Sequence, residues 1–165
     1  LDPGLAFGTG THPTTRMCLR WIAGHATDLR GAPVLDYGCG SGILAIGAAR
    51  FGAAPVDAVD IDPTALRASV DNAAANGVRL RTGLPELVDP PRGAYPVVLA
   101  NILASPLKLL APLLAAHVAP GGHLVLAGIL ARQADELQTA YAPWLALDVA
   151  DACDGWILMT ARRPA

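Results

Sequence analysis

The sequence predicts an α/β fold, a doubly wound and mainly parallel sheet with helices on both faces. Short apolar runs alternate with stretches of helical pattern, and glycine- and proline-rich turns separate them at the spacing of short loops. This order favours a parallel sheet, because parallel neighbours need a crossover connection of a dozen or more residues. With 165 residues, 53% hydrophobic content and no internal repeat or long polar linker, the chain is expected to form one domain.

The alternating part supplies five strands and four helices. The strands are short apolar runs, expected at residues 33–37, 55–61, 78–82, 96–102 and 123–129. The helices are longer and are expected at residues 41–51, 63–76, 105–118 and 131–141. Pro112 interrupts the third helix, because proline lacks the N–H that a helix interior needs, and the turn at Pro120, Gly121 and Gly122 precedes the fifth strand.

The end of the chain breaks the alternation. Residues 145–149 and 156–161 are strand-like, and only a short stretch containing Asp154 and Gly155 separates them. A loop of this length permits only an antiparallel hairpin. A sheet that ends with an inserted antiparallel strand resembles the seven-stranded, Rossmann-like sheet of the S-adenosylmethionine-dependent methyltransferases, and it differs from the dinucleotide-binding arrangement. This resemblance favours methyl transfer over hydride transfer.

Composition excludes several classes of partner. There are 12 Lys and Arg against 14 Asp and Glu, so no basic stripe indicates direct binding to nucleic acid. Cys18, Cys39 and Cys153 are odd in number and widely separated, which argues against zinc or a disulfide framework and fits a reducing cytoplasm. No apolar run reaches the roughly 18 residues that a membrane span needs, and the start lacks the regions of a signal peptide. We therefore expect a cytoplasmic protein without a membrane or metal partner.

A glycine-rich turn joins the first predicted strand to its helix. It contains Gly38, Gly40 and Gly42, with Asp36 two residues ahead of the first glycine. Glycine lets a ligand approach the backbone closely, and the helix start offers free amides. A carboxylate there would repel a pyrophosphate but attract the cationic amino group and sulfonium of S-adenosyl-L-methionine. Two alternatives stay open, namely a packing turn without a ligand and a purely structural role for Asp36 as a loop cap.

Two aspartates follow the second predicted strand. Asp60 lies 22 positions after Gly38, where an acidic residue in such folds accepts hydrogen bonds from both ribose hydroxyls. Asp62 precedes Pro63, and we assign it to the cap of the next helix. A surface-exposed Asp60 that binds nothing is the alternative.

Four segments closely resemble the methyltransferases of ribosomal protein eleven of the large subunit. They read LDPGLAFGTGTHPTT, VLDYGCGSGILAIGAARFGA, VDIDPTALRASVDNAAANGV and VLANILASPLKLLAPLL. The resemblance covers essentially the whole chain, and FGTGTHPTT and ANIL are its most specific parts. It implies S-adenosyl-L-methionine as methyl donor, and Lys side chains and an N-terminal α-amine of that ribosomal protein as acceptors.

The same resemblance assigns cofactor contacts to Thr15, Gly38, Asp60 and Asn101. A local helix cap is the alternative for Thr15. Phe7 resembles part of a lid over the site, with ordinary core packing as the alternative. The family also carries an amino-terminal domain that recognises the ribosomal protein. Because the sequence starts with Leu1 and opens directly on the catalytic segment, we expect residues 1–165 to form the catalytic domain without it, binding the cofactor but methylating protein inefficiently.

Asn101 is the candidate catalytic residue. It follows an apolar strand and so emerges at the carboxyl end, where open α/β sheets bind ligands. Its amide oxygen can accept a hydrogen bond from an incoming amine and aim the lone pair. It resembles the asparagine of NPPY-type amino methyltransferases, but Ile102 and Leu103 replace the prolines, which argues against a flipped base as substrate. Three alternatives remain: an asparagine that merely ends the strand, a silent cofactor-binding module, and a nicotinamide-dependent oxidoreductase.

Overall fold

The computed structural model describes residues 12–165 and is built around a seven-stranded sheet with the order β3-β2-β1-β4-β5-β7-β6. The strands are β1 (Val34–Tyr37), β2 (Val56–Val59), β3 (Arg81–Gly83), β4 (Tyr95–Asn101), β5 (Val118–Leu130), β6 (Asp148–Cys153) and β7 (Trp156–Arg162). The first five strands run parallel, and β7 runs antiparallel to both β5 and β6. The predicted α/β fold, with its terminal antiparallel hairpin, is confirmed.

Seven α-helices cover the sheet in the described part of the chain. They are α1 (Pro13–Gly24), α2 (Ala26–Leu29), α3 (Ile43–Arg50), α4 (Pro63–Ala75), α5 (Ala104–Leu109), α6 (Ala111–His117) and α7 (Ala134–Tyr141). Short 3-10 turns follow β3 at Pro85–Leu87 and β5 at Ala131–Gln133. Across residues 12–165, none of the helices has the length and apolar character required to cross a membrane.

Two hydrophobic cores lie on opposite faces of the sheet. Met17, Ile22 and Leu44 belong to the core under α1 and α3, whereas Leu107 and Tyr141 belong to the core under α5, α6 and α7. The inner strands contribute to both cores, because successive side chains point to opposite faces. This two-sided burial explains why these strands read as continuous apolar runs in the sequence.

The structure corrects several predicted boundaries. The third strand occupies Arg81–Gly83 instead of 78–82, and the sixth occupies Asp148–Cys153 instead of 145–149. Leu145 and Leu147 are buried in the core before β6 begins, and β6 itself is a largely exposed edge strand, so the apolar signal preceded the strand. The fifth strand starts at Val118, which pairs with Tyr95 of β4, and the predicted turn at Gly121 and Gly122 is hydrogen-bonded to Arg163 near the chain end.

The helical predictions need two changes. The interruption of the third helix is confirmed, but α5 ends at Leu109 and Pro112 lies in the first turn of α6, where its missing N–H costs nothing. Helix α1 was not among the predicted elements. Its N-cap is His12, whose Nδ1 accepts a hydrogen bond from the Thr14 N–H.

Candidate functional site

The carboxyl ends of β1 and β4 lie side by side at the centre of the sheet, where the strand order reverses. Chains that leave neighbouring strands at such a point turn in opposite directions and leave a crevice between them. The glycine turn follows β1, the residues after Asn101 follow β4, and Asp60 follows β2. The fold therefore brings the three predicted segments to one edge.

The glycine turn has a left-handed backbone at each of its three glycines, with φ values of +80° at Gly38, +55° at Gly40 and +87° at Gly42. The close approach is tightest at two of them. A Cβ at Gly38 would lie 2.7 Å from Cγ2 of Ile102, and a Cβ at Gly42 would lie 2.9 Å from Oγ of Ser69. Apart from its own chain neighbours, no atom of residues 12–165 lies within 4 Å of a Cβ at Gly40, so the described part of the chain leaves room for a ligand there.

Two side chains of helix α4 hydrogen-bond to the backbone of the glycine turn. Ser69 donates its hydroxyl to the carbonyl of Gly40 at 2.8 Å, and Asn72 donates its side-chain amide to the carbonyl of Ser41 at 2.9 Å. These two residues lie one helical turn apart and so share a face. The sequence analysis did not identify them, because Arg67 and Asp71 on the same helix are polar too and Ser69 and Asn72 do not stand out among them.

Asp60 connects this turn to the end of β2. Its Oδ2 accepts a hydrogen bond from the Gly40 N–H at 2.9 Å, and its Oδ1 accepts one from the Asp62 N–H at 3.0 Å. Both oxygens are thereby fixed in orientation, and each keeps a further lone pair for a ligand. Asp62 accepts a hydrogen bond from the Thr64 N–H at 2.9 Å, so its predicted role as the cap of α4 is confirmed.

Two adjoining cavities open at this edge. The smaller, about 40 Å³, is lined by Thr15, Asp36, Gly38, Gly40 and Asn101 together with neighbouring residues of the turn. The larger, about 300 Å³, has a mainly apolar lining made by Tyr37, Gly38, Asp60, Ile61, Pro85, Ile102, Pro106 and Leu110. Gly38 lines both. The six predicted site residues thus surround one composite site, with Asp60 on the side of the larger cavity.

Thr15 brings an unpaired hydroxyl to the smaller cavity. The residue is fully buried, and its Oγ1 has no hydrogen-bond partner within residues 12–165. Leaving a buried hydroxyl unpaired costs about 1–3 kcal/mol, which a polar ligand would recover. The alternative role as a helix cap is wrong, because His12 caps α1 and the hydroxyl that it contacts, at 2.8 Å, belongs to Thr14.

Asp36 is an acid buried beneath the turn. It is 1% exposed, and its Oδ2 accepts a hydrogen bond from the Ala45 N–H at 3.2 Å in the first turn of α3. The pKa of Asp36 is raised to about 7, mainly by burial and to a smaller extent by the nearby Asp60, whereas the Ala45 hydrogen bond opposes the shift. The structural capping role is therefore present, and the same carboxyl group also lines the smaller cavity.

Asn101 ends β4 at the mouth of the smaller cavity and is half-buried. Its Nδ2 lies 3.4 Å from Oγ1 of Thr14, to which it donates. This contact orients the side-chain amide with its nitrogen towards α1 and leaves the oxygen as the acceptor for another group. The amide is thus held by α1, an element that the sequence analysis had not assigned.

Three further observations concern the turn after β3, the opening segment and metal binding. The 3-10 turn after β3 supplies Pro85 to the larger cavity, a residue that the sequence analysis did not select. Phe7 and most of the FGTGTHPTT segment lie outside the described residues. In the part of the chain that the structure covers, no group of three or more His, Cys, Asp or Glu could hold a metal ion.

Comparisons with known proteins agree with this architecture. The family model for ribosomal protein L11 methyltransferase matches residues 1–164. A relative of that name from Polaromonas sp. is 68% identical over 163 residues, which is 98% of this chain and 54% of the relative. The chain therefore spans about half the length of the curated relatives that it matches.

Solved structures give the same result. The crystal structure of ribosomal protein L11 methylase from Lactobacillus delbrueckii subsp. bulgaricus superposes with a TM-score of 0.85 at 32% identity, covering 100% of this chain and 83% of that chain. An RNA methyltransferase from Salinibacter ruber, solved with S-adenosyl-L-homocysteine, has a TM-score of 0.71 at 23% identity, covering 93% and 94% of the two chains, and shows a shared fold. Because the family model matches almost the entire sequence, the chain belongs to the ribosomal protein L11 methyltransferase family.

Proposed function

We propose that this chain binds S-adenosyl-L-methionine in the two adjoining cavities and transfers its methyl group to amino groups of ribosomal protein L11. The proposal rests on one observation above the others. An unpaired buried hydroxyl, a buried acid, an open glycine turn and a strand-end amide meet in one small cavity, at Thr15, Asp36, Gly40 and Asn101. Family membership supports the same activity. A ribosomal substrate also agrees with the cytoplasmic location that cysteine usage predicts.

The residues present fit the cofactor chemically. Thr15 Oγ1 and Asp36 would hold the polar methionine part, with its cationic amino group, beside Gly38 and Gly40, and Asp60 would accept hydrogen bonds from the ribose hydroxyls. The apolar lining of the larger cavity suits an adenine ring. When bound, the cofactor supplies a methyl group on a positively charged sulfur. A pyrophosphate suits the site less well, since Asp36 lines the cavity at the turn.

Asn101 would orient the acceptor. An amine N–H can donate to its Oδ1, because Nδ2 is directed towards Thr14, and that contact would fix the direction of the nitrogen lone pair. A free lysine amine has a pKa near 10.4 and is mostly protonated at neutral pH. Transfer out of water into an apolar site lowers the pKa of an amine. The chain would therefore promote the neutral, nucleophilic form by excluding water, and the released proton would leave before attack.

The decisive experiment has two stages. Calorimetry with S-adenosyl-L-methionine and, separately, with NAD identifies the cofactor that the chain binds. Labelled S-adenosyl-L-methionine is then incubated with purified ribosomal protein L11 and either this chain or a fusion that adds the rest of the Polaromonas relative. We expect the chain to bind S-adenosyl-L-methionine and not NAD. We also expect the fusion to methylate ribosomal protein L11 more efficiently than this chain does.

The outcomes separate the alternatives. Tight NAD binding would replace the proposal with hydride transfer. Cofactor binding without methylation by either protein would indicate a silent module or another protein as substrate. Equal methylation by the two proteins would contradict the proposal that recognition requires an additional amino-terminal domain, because it would place recognition within residues 1–165.

A further inference from the structure

Ile102 lies between two glycines that belong to different parts of the sheet. Its side chain occupies the space that a Cβ at Gly38 would need, with a separation of 2.7 Å to Cγ2. Its backbone occupies the space that a Cβ at Gly128 would need, with overlap at the carbonyl oxygen and 2.7 Å to the carbonyl carbon. Real Cβ atoms do not approach other atoms this closely, so both positions require glycine while Ile102 stays in place.

Gly128 lies in an irregular stretch of β5. Its φ of +89° is left-handed, and the register between β5 and β7 shifts between Leu126 and Ile129. The preceding residue, Ala127, pairs with Asn101 on β4. Bulges of this kind redirect the backbone and occur often beside functional sites. Here the bulge brings the Cα of Gly128 against the two residues that leave β4.

The neighbours of Gly128 include the candidate catalytic atom. A Cβ at this position would lie 3.3 Å from Oδ1 of Asn101, in addition to its overlap with Ile102. A side chain at position 128 would therefore displace the Ile102 carbonyl and, at the same time, crowd the amide oxygen of Asn101. The displacement would also move Ile102 relative to Gly38, because its side chain is packed against the glycine turn.

From this geometry we infer that Gly128 is a positioning residue for methyl transfer. By lacking a side chain, it lets the Asn101–Ile102 turn lie directly against β5 and so fixes the acceptor amide relative to the glycine turn. The inference rests on the proposed function. Gly128 acts through Asn101 and Ile102 and need not touch substrate or cofactor itself.

The test compares Gly128→Ala with Gly121→Ala. Both glycines belong to β5 and have left-handed φ values, +89° and +76°, but a Cβ at Gly121 meets no described atom within 4 Å. Gly121→Ala thus reproduces the backbone strain without the collision. We expect Gly128→Ala to lower kcat by between about ten- and a hundredfold, as misplacements near 1 Å do. The Kd for S-adenosyl-L-homocysteine should change far less, and Gly121→Ala should leave both constants near wild type.

A second readout does not depend on turnover. The Asn101 side-chain NH₂ signal, identified by its loss in Asn101→Asp, should shift in the ¹⁵N spectrum of Gly128→Ala and stay in place in Gly121→Ala. Equal kcat values and unshifted signals in both variants would overturn the inference. A parallel loss of kcat and cofactor affinity would also overturn it, because that pattern belongs to general damage.

Two further results keep this test separate from that of the proposed function. Failure of the wild-type chain and the fusion to methylate would reject the proposed function itself. If Gly128→Ala does not fold, Ile102→Gly is added, since a glycine can rotate its carbonyl away from the new methyl group. Ile102→Gly alone is then the reference, because Ile102 lines the larger cavity. The new methyl group still crowds Oδ1 of Asn101, so a double variant with a kcat well below that of Ile102→Gly at the same cofactor affinity supports the inference, and equal kcat values refute it.

Discussion

Replacing Asp36 with asparagine should remove a pH dependence that burial has built into the fold. Asparagine keeps the size of the side chain and an oxygen for the Ala45 N–H, but it cannot ionise. Because burial raises the pKa of Asp36 from 3.8 to about 7, the folded chain retains a proton that the unfolded chain releases above about pH 4. The contribution of Asp36 to stability is therefore complete below pH 4 and is lost as the pH rises through 7.

The magnitude follows from the shift. About three pH units correspond to roughly 4 kcal/mol of lost stability between pH 4 and pH 7, as an upper value for a fully buried acid. Relative to Asp36→Asn, the unfolding free energy of the wild-type chain should thus fall by up to about 1.4 kcal/mol per pH unit in this range. Above pH 8 the difference between the two proteins should be constant.

A cationic ligand should stabilise the ionised form of Asp36 and so offset the stability that ionisation removes. If the cofactor keeps Asp36 ionised, the fraction of the free chain that is already ionised limits binding, and this fraction rises from about one tenth at pH 6 to about nine tenths at pH 8. Cofactor affinity should therefore increase about tenfold over that range in the wild-type chain, beyond any change seen in Asp36→Asn. The variant also corrects for titration of the ligand's own amino group.

Urea unfolding at pH 5, 6, 7 and 8 measures the first effect, and calorimetry at pH 6 and pH 8 measures the second. Calorimetry in two buffers with different ionisation enthalpies counts the protons released on binding. Parallel stability curves for the wild-type chain and Asp36→Asn would refute the buried-acid argument. A pH-independent ratio of the two cofactor affinities would refute the electrostatic role in binding while leaving the stability argument intact.

Substitutions at Asp60, Thr15 and Asn101 test three further residues of the proposed site. Asp60→Ala should weaken S-adenosyl-L-homocysteine binding by about 1.5–3 kcal/mol. The control Asp62→Ala, which removes only the α4 cap, should lower stability by about 1 kcal/mol and leave the affinity unchanged. Similar affinities of the two variants would remove Asp60 from the ribose site. Thr15→Val should hold or raise the thermal midpoint, because it removes an unpaired hydroxyl, yet weaken cofactor binding by about 1 kcal/mol; a lower midpoint with unchanged affinity would contradict this assignment. Asn101→Ala should lower kcat/KM for methyl transfer far more than cofactor affinity, and proportional losses would make it chiefly a cofactor residue.

Sequence patterns predicted the inner part of the sheet better than its edges. Strands β1, β2, β4 and β5 are covered on both faces, so nearly every position is apolar and the runs are easy to locate. β6 is an exposed edge strand, and β3 is three residues long with little burial. Their apolar patterns are weak, because no second layer of side chains constrains them.

The sequence analysis selected those residues of the proposed site whose chemistry is carried by their own side chains. Asp36, Asp60 and Asn101 are polar residues at the ends of apolar strands, a position that indicates a site in open α/β sheets. The holding contacts were not predictable in the same way. Ser69 and Thr14 act on residues far away in the chain, and their partners are defined only once α4 and α1 have packed.

Gly128 shows why some positions escape sequence reasoning altogether. A glycine within an apolar strand is equally consistent with a bulge, with close backbone approach or with simple tolerance. The choice depends on what lies opposite, which here is the backbone of Ile102, a residue 26 positions earlier that directly follows the neighbouring strand β4. Gly38 also has no room for a side chain, because Ile102 packs against it with its own side chain. The need for glycine at position 38 and at position 128 therefore depends on where Ile102 lies. The relative placement of the glycine turn and the Asn101 amide is consequently a property of three packed strands, and a substitution that preserves every polar side chain of the proposed site can still separate them.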